Sequence, residues 1–167
     1  MSAMPAHALP QAVLAVAALT ASVTQAASQD ASALYDTCFA RTYDAAHLAA
    51  HPGQRLTAIS VNFQVFEDDL LASVIYTLRY GTKFGFSGAC YVKIEGGFLC
   101  DACVNDSCET SGEHFIVLWS GGDTVKLVND LTGMLAENAE GGRDYLAAGG
   151  EHGEFVLRHG SAEDCAW

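Results

Sequence analysis

The chain has 167 residues, 20 of them acidic and 8 basic, for a formal charge of −12. A field of that sign repels phosphate backbones and anionic lipid headgroups, so nucleic acid and membrane surfaces are poor partners. Cations or a basic protein suit it better. From Glu95 onward there are 14 acidic residues, opposed only by Lys126, Arg143 and Arg158.

Residues 1–26, MSAMPAHALPQAVLAVAALTASVTQA, contain no Lys, Arg, Asp or Glu. Their apolar centre, AVLAVAALTASV, suits the central region of an export signal and is too short to span a bilayer. A small residue ends the segment at Ala26, with Thr24 two positions before it. The expectation is a signal peptide over 1–26 and a single domain over 27–167, periplasmic or secreted, with no membrane insertion after processing. The mature chain of about 140 residues is long enough to bury its own core.

After a loose leader, Asp44 to Ala50 reads as a short helix, capped by Thr42 or Asp44 and stopped by Pro52-Gly53. The period then changes. Ile59, Val61, Phe63 and Val65 alternate with polar residues, which predicts a half-buried strand. Glu67-Asp68-Asp69 turns the chain, and Val74, Tyr76, Leu78 and Tyr80 share one face of a second strand, so the two pair as a hairpin. Double glycines then punctuate the chain at positions 96–97, 121–122, 141–142 and 149–150, with short β-rich runs between them. Glycine accepts the positive φ of tight turns. No strand–helix alternation is present, so the predicted fold is all-β: an antiparallel sandwich or small barrel with one short N-terminal helix. The acidic, Gly-rich stretch from Ala136 to Gly153 reads as the main loop.

Six cysteines, Cys38, Cys90, Cys100, Cys103, Cys108 and Cys165, follow the signal. An even number in an exported chain reads as disulfides. With Gly96-Gly97 as a two-residue turn, Ile94 faces Leu99 and Cys90 faces Cys103. Cys100 lies on the opposite face and reaches Cys108, while Cys38 and Cys165 join the chain ends. Cys90–Cys108 is the rival pairing. Zinc on Cys100, Cys103, Cys108 and His114 needs thiolates, which oxidation removes. A redox Cys-x-x-Cys pair normally sits at a helix N-terminus, and this pair lies in a hairpin.

His47 and His51 stand four apart on the helix and can share a metal ion, with Asp44 as a third ligand. No other cofactor is expected. No G-x-S-x-G nucleophile turn and no phosphate loop with lysine occur, so no catalytic residue is assigned. Phe115, Val117 and Trp119 share a face that could dock a protein partner.

The segment from Tyr43 to Val61, YDAAHLAAHPGQRLTAISV, together with the Cys90–Cys100 pattern, resembles a group of small exported bacterial proteins without assigned activity. The resemblance implies an exported all-β domain with several cysteines. The expected function is a non-catalytic binding module with a protein partner, a basic one being in keeping with the acidic surface. The alternative is a metal-binding or metal-sensing protein using His47 and His51, and a hydrolase stands third.

Overall fold

A computed structural model describes residues 31–67, 69–103, 113–119, 121–129 and 132–167, with only the backbone described at Val92 and Lys93. The expected signal over 1–26 and Cys108 lie outside the described residues. Ten strands and one short α-helix run in the order β1 (Cys38–Thr42), α1 (Ala45–Ala50), β2 (Leu56–Phe66), β3 (Asp69–Leu78), β4 (Lys83–Ile94), β5 (Gly97–Cys103), β6 (His114–Leu118), β7 (Thr124–Val128), β8 (Met134–Glu137), β9 (Arg143–Leu146) and β10 (Glu154–His159).

Every pairing is antiparallel. Strands β1 to β7 pair in sequence, β10 fills the gap between β7 and β1, and the pairing of β3 with β4 closes the ring. The architecture is therefore an eight-stranded barrel rather than a sandwich. Closure removes the unpaired strand edges that an open sheet exposes. The hairpin β8–β9 stands outside the ring and joins it where Gly85 of β4 pairs with Glu137.

Alternation decides which side chains fill the barrel. Val61 and Phe63 of β2, Val74 and Tyr76 of β3, Phe115 and Val117 of β6, Leu127 of β7 and Phe155 and Leu157 of β10 are all fully buried. An eight-stranded ring is just wide enough for its side chains to fill, and here large ones do. Phe39 meets Phe63 edge-on at 6.0 Å, and Phe86 meets Phe115 in the same way at 5.3 Å. Gly88 makes room for the second pair: a Cβ there would lie 2.5 Å from the Phe115 ring.

The Ala136–Gly153 stretch departs from the expected loop. It carries most of β8–β9, whose inner residues Met134, Ala136 and Leu146 are fully buried. Strands of four residues with Asn138 and Gly141-Gly142 between them leave too little alternation to detect. Tyr80, expected on the inner face of β3, lies past the strand end and is exposed.

The helix forms where expected. Asp44 caps it, accepting from the His47 N–H at 2.7 Å. The C-terminal carbonyls of so short a helix need donors. Arg79 supplies them, donating to the Leu48 and His51 carbonyls at 2.9 Å each and to the Gln54 carbonyl at 2.6 Å.

Candidate functional site

Several places among the described residues bring chemistry-bearing side chains together. The first is the cleft beside α1. His47 and His51 lie face to face, with ring centroids 4.3 Å apart and planes 22° apart. Tyr43 continues the stack at 4.8 Å from His47, and the Arg41 guanidinium covers Tyr43 at 4.6 Å. Glu151 closes the far side, 3.9 Å from His51 Nδ1. Imidazole lone pairs lie in the ring plane, so near-parallel rings aim them side by side instead of at one ion. Asp44, the expected third ligand, spends an oxygen on the helix cap. Among the described residues no group of three His, Cys, Asp or Glu side chains is arranged to hold a metal. The spacing correctly puts the two histidines together; the three-ligand set does not assemble.

The expected docking face is also different in kind. Phe115 and Val117 are fully buried and Trp119 nearly so, because this parity of β6 points into the barrel. They are core and cannot meet a partner.

The cysteines follow a shifted register. Cys38 bonds Cys165, joining β1 to the C-terminal tail. Cys90 bonds Cys100, not Cys103. Two changes produce this. The turn is Glu95-Gly96, so Ile94 pairs with Gly97, and a bulge at Tyr91 then brings Cys90 opposite Cys100. The two glycines do different work. Gly96 supplies a φ of 77°. At Gly97 a Cβ would overlap the Val117 carbonyl oxygen of β6, so only glycine fits this approach. Both Cys90 and Cys100 lie inside the barrel. Cys103 is disulfide-bonded as well. This leaves no thiolate set for zinc on Cys100, Cys103 and His114. His114 instead bonds Asp101 at 2.5 Å, and Tyr91 donates to the other oxygen of the same carboxylate. Such a pair orients an imidazole but does not by itself define a nucleophile.

The second place is a polar tie that fastens the β8–β9 hairpin to the barrel. The hydroxyl of fully buried Tyr76 donates to Asp144 Oδ2 at 2.9 Å, and Arg55 donates to Asp144 Oδ1 at 2.5 Å. Burial, then the Asp144 carboxylate, hold the Tyr76 hydroxyl well above the ordinary phenol range. The Arg55 N–H donates to His152 Nε2 at 3.2 Å, which requires that nitrogen to be unprotonated. Burial first, and the Arg55 charge second, push His152 below the ordinary histidine value. Asn129, also fully buried, donates to the carbonyls of Leu146, Ala147 and His152.

The third place is a groove of about 720 Å³ across the outer face of β3 and β4. Outward alternation brings Leu71, Ser73 and Ile75 of β3 beside Gly85 and Ser87 of β4. Small residues on β4 keep the floor low, and Ser73 and Ser87 share a 3.0 Å hydrogen bond along it. Phe66 stands at the rim, 62% exposed, and Trp167 lies against Gly85, 63% exposed. Single exposed aromatics are ordinary, but two on one apolar trough form a contiguous patch of the kind that marks interaction sites. Glu137 of β8 is the acidic residue in the lining, and Arg143 donates to it at 2.6 Å; Glu67 and Asp69 are exposed at the β2–β3 turn beyond Phe66. Sequence reasoning missed this groove because Phe66 and Trp167 sit at element ends 101 positions apart.

The chain thus belongs to the class of closed, disulfide-bonded antiparallel β-barrels with a filled interior and an outer groove. Compared with family models, with curated proteins and with solved structures, it finds no match in any of the three.

Proposed function

We propose that the protein is an exported, non-catalytic binding module, and that its working surface is the outer groove of β3 and β4. The partner is a protein segment in which an apolar or aromatic side chain is flanked by basic residues. One observation carries the reading: an apolar trough with exposed Phe66 at its rim, Trp167 against its floor and the Glu137 carboxylate in its lining. The filled barrel interior speaks against a ligand held inside, and the chain charge of −12 favours a cationic partner. Disulfides Cys38–Cys165 and Cys90–Cys100 fit an oxidising compartment, the periplasm or the exterior, and no helix among the described residues is long and apolar enough to cross a membrane. Membership of the group of exported proteins that the Tyr43–Val61 segment resembles belongs to the same proposal.

The test is calorimetric titration with three blocked tripeptides: Lys–Phe–Lys, Glu–Phe–Glu and Lys–Gly–Lys. The expected result is binding of the first at roughly 1 mM, the scale of one aromatic anchor, weakened by salt, with the other two weaker. Equal binding of all three refutes the reading. A metal-binding role for His47 and His51 is the second reading; it draws on Glu151 beside His51 at 3.9 Å and needs one imidazole to turn out of the stack. A copper or zinc titration that leaves the melting temperature unchanged removes it.

A further inference from the structure

The groove is partly occupied by the protein's own tail. Residues Ala162–Cys165 form a 3₁₀ turn held by a capping box between Ser161 and Asp164. The Ser161 N–H and hydroxyl both donate to Asp164 Oδ2 at 2.8 Å. Beyond the turn, Cys165 bonds Cys38 of β1, Lys83 donates to the Ala166 carbonyl at 3.0 Å, and Trp167 lays its ring on Gly85. The six-membered edge of that ring takes the space a Cβ at position 85 would need. The ring therefore lies on the groove floor, where an apolar anchor of a partner would lie.

The two resolved disulfides differ in access. Cys90 and Cys100 are inside the barrel, closed to any reagent while the barrel is intact. Cys165 is half-buried in the surface tail, two residues before Trp167. We propose that the Cys38–Cys165 disulfide is a redox-controlled clamp that holds Trp167 on the groove floor, and that its reduction frees the groove for the partner. This inference rests on the groove being the binding surface.

The reductant is an exported dithiol oxidoreductase. Its thiolate attacks the Cys165 sulfur, the more accessible of the two. The sulfur–sulfur bond breaks, and Cys38 leaves as a thiolate that takes a proton. The second thiol of the reductant then attacks the mixed disulfide and releases Cys165 as a thiol. Two electrons and two protons pass to the protein, and the reductant ends as a disulfide. With the disulfide cut, the Gly160 N–H still donates to the Cys38 carbonyl before the turn, while beyond Cys165 the Lys83 contact and the Trp167 ring are non-covalent and can exchange with solvent. A competitor tethered in the site lowers apparent affinity by the fraction of molecules left open.

The experiment uses the full chain in three forms: oxidised, mildly reduced, and Trp167→Ala with all disulfides intact. Alkylation and mass mapping identify the opened bond. The indole signal of Trp167 on isotope-labelled protein reports release of its ring from Gly85, and buried Trp119 serves as the internal reference. Lys–Phe–Lys is the binding probe. The expected result is labelling of Cys38 and Cys165 before Cys90 and Cys100, a Trp167 indole signal moved to the position of a free indole, and a roughly tenfold gain in affinity that Trp167→Ala reproduces without reduction. Three results overturn the clamp: Cys90–Cys100 opening first, a Trp167 indole signal unchanged after Cys38–Cys165 is cut, or equal affinity in all three forms. If the probe binds none of them, the groove reading itself fails and the clamp falls with it.

Discussion

Tyr76→Phe isolates the tie that fastens β8–β9. The substitution keeps the ring and its stacking on Phe84 at 5.9 Å, and removes only the hydroxyl that donates to Asp144. Asp144 is 14% exposed, so little water can replace the lost donor. A hydrogen bond to a charged, mostly buried acceptor is worth about 1.5–3 kcal/mol. The Arg55–Asp144 pair is closer, but Arg55 is 44% exposed and such pairs contribute about 0–1 kcal/mol. The hydroxyl should therefore dominate. At about 2–4 °C per kcal/mol for a chain of this length, a 2 kcal/mol loss lowers the melting temperature by about 6 °C. Arg55→Met should lower it by less. Hydrogen exchange should show lost protection at Met134 and Leu135 while β2 and β3 keep theirs. A shift under about 1 °C with unchanged exchange, or an Arg55→Met effect larger than the Tyr76→Phe effect, refutes this reasoning.

Gly97→Ala forces a methyl into the Val117 carbonyl and should destabilise the chain by about 3 kcal/mol, the upper end for overpacking, read by urea unfolding. Gly85→Ala meets the Trp167 ring, which can swing away, and the Val74 carbonyl at 3.0 Å, which must give slightly, so it should lower the melting temperature by less than Gly97→Ala and shift the Trp167 indole signal. Phe66→Ser should weaken Lys–Phe–Lys binding about tenfold, the equivalent of about 1.4 kcal/mol of aromatic contact, without affecting stability, because the ring is exposed. His152 is held below its ordinary value of 6.5, so the unfolded chain binds its proton more readily. The stability that neutral His152 contributes is complete above about pH 6.5, falls as the pH drops toward the folded value, and is flat below it. His152→Gln, which keeps an acceptor for Arg55, should show a shallower loss across that window in melts run at stepwise pH.

Local pattern made β2, β3 and α1 legible. Alternation from Ile59 to Val65 and the Asp44 cap followed by His47 each lie within one element, where neighbours in sequence are neighbours in space. Alternation also separated the two faces of β6, but it cannot say which one points inward. Phe115 and Trp119 face the core because the sheet curls shut, a property of eight strands together. The cysteine register turned on what each glycine does. Gly96 and Gly97 look alike in sequence, yet one serves a turn angle and the other a close approach by β6, and the bulge at Tyr91 carries no compositional mark. The tie at Asp144 was out of reach for a simpler reason. Its partners Tyr76 and Arg55 stand 68 and 89 positions away, and only the barrel brings them together.

Chemical-shift mapping on isotope-labelled protein bears most directly on the binding surface. Titrated with Lys–Phe–Lys, the amides of Leu71, Ser73, Ile75, Gly85 and Ser87 and the Trp167 indole should move together and saturate with one affinity. Shifts gathered instead around His47, His51 and Glu151, or spread evenly over the barrel, would contradict the assignment of the β3–β4 groove as the site where this protein meets its partner.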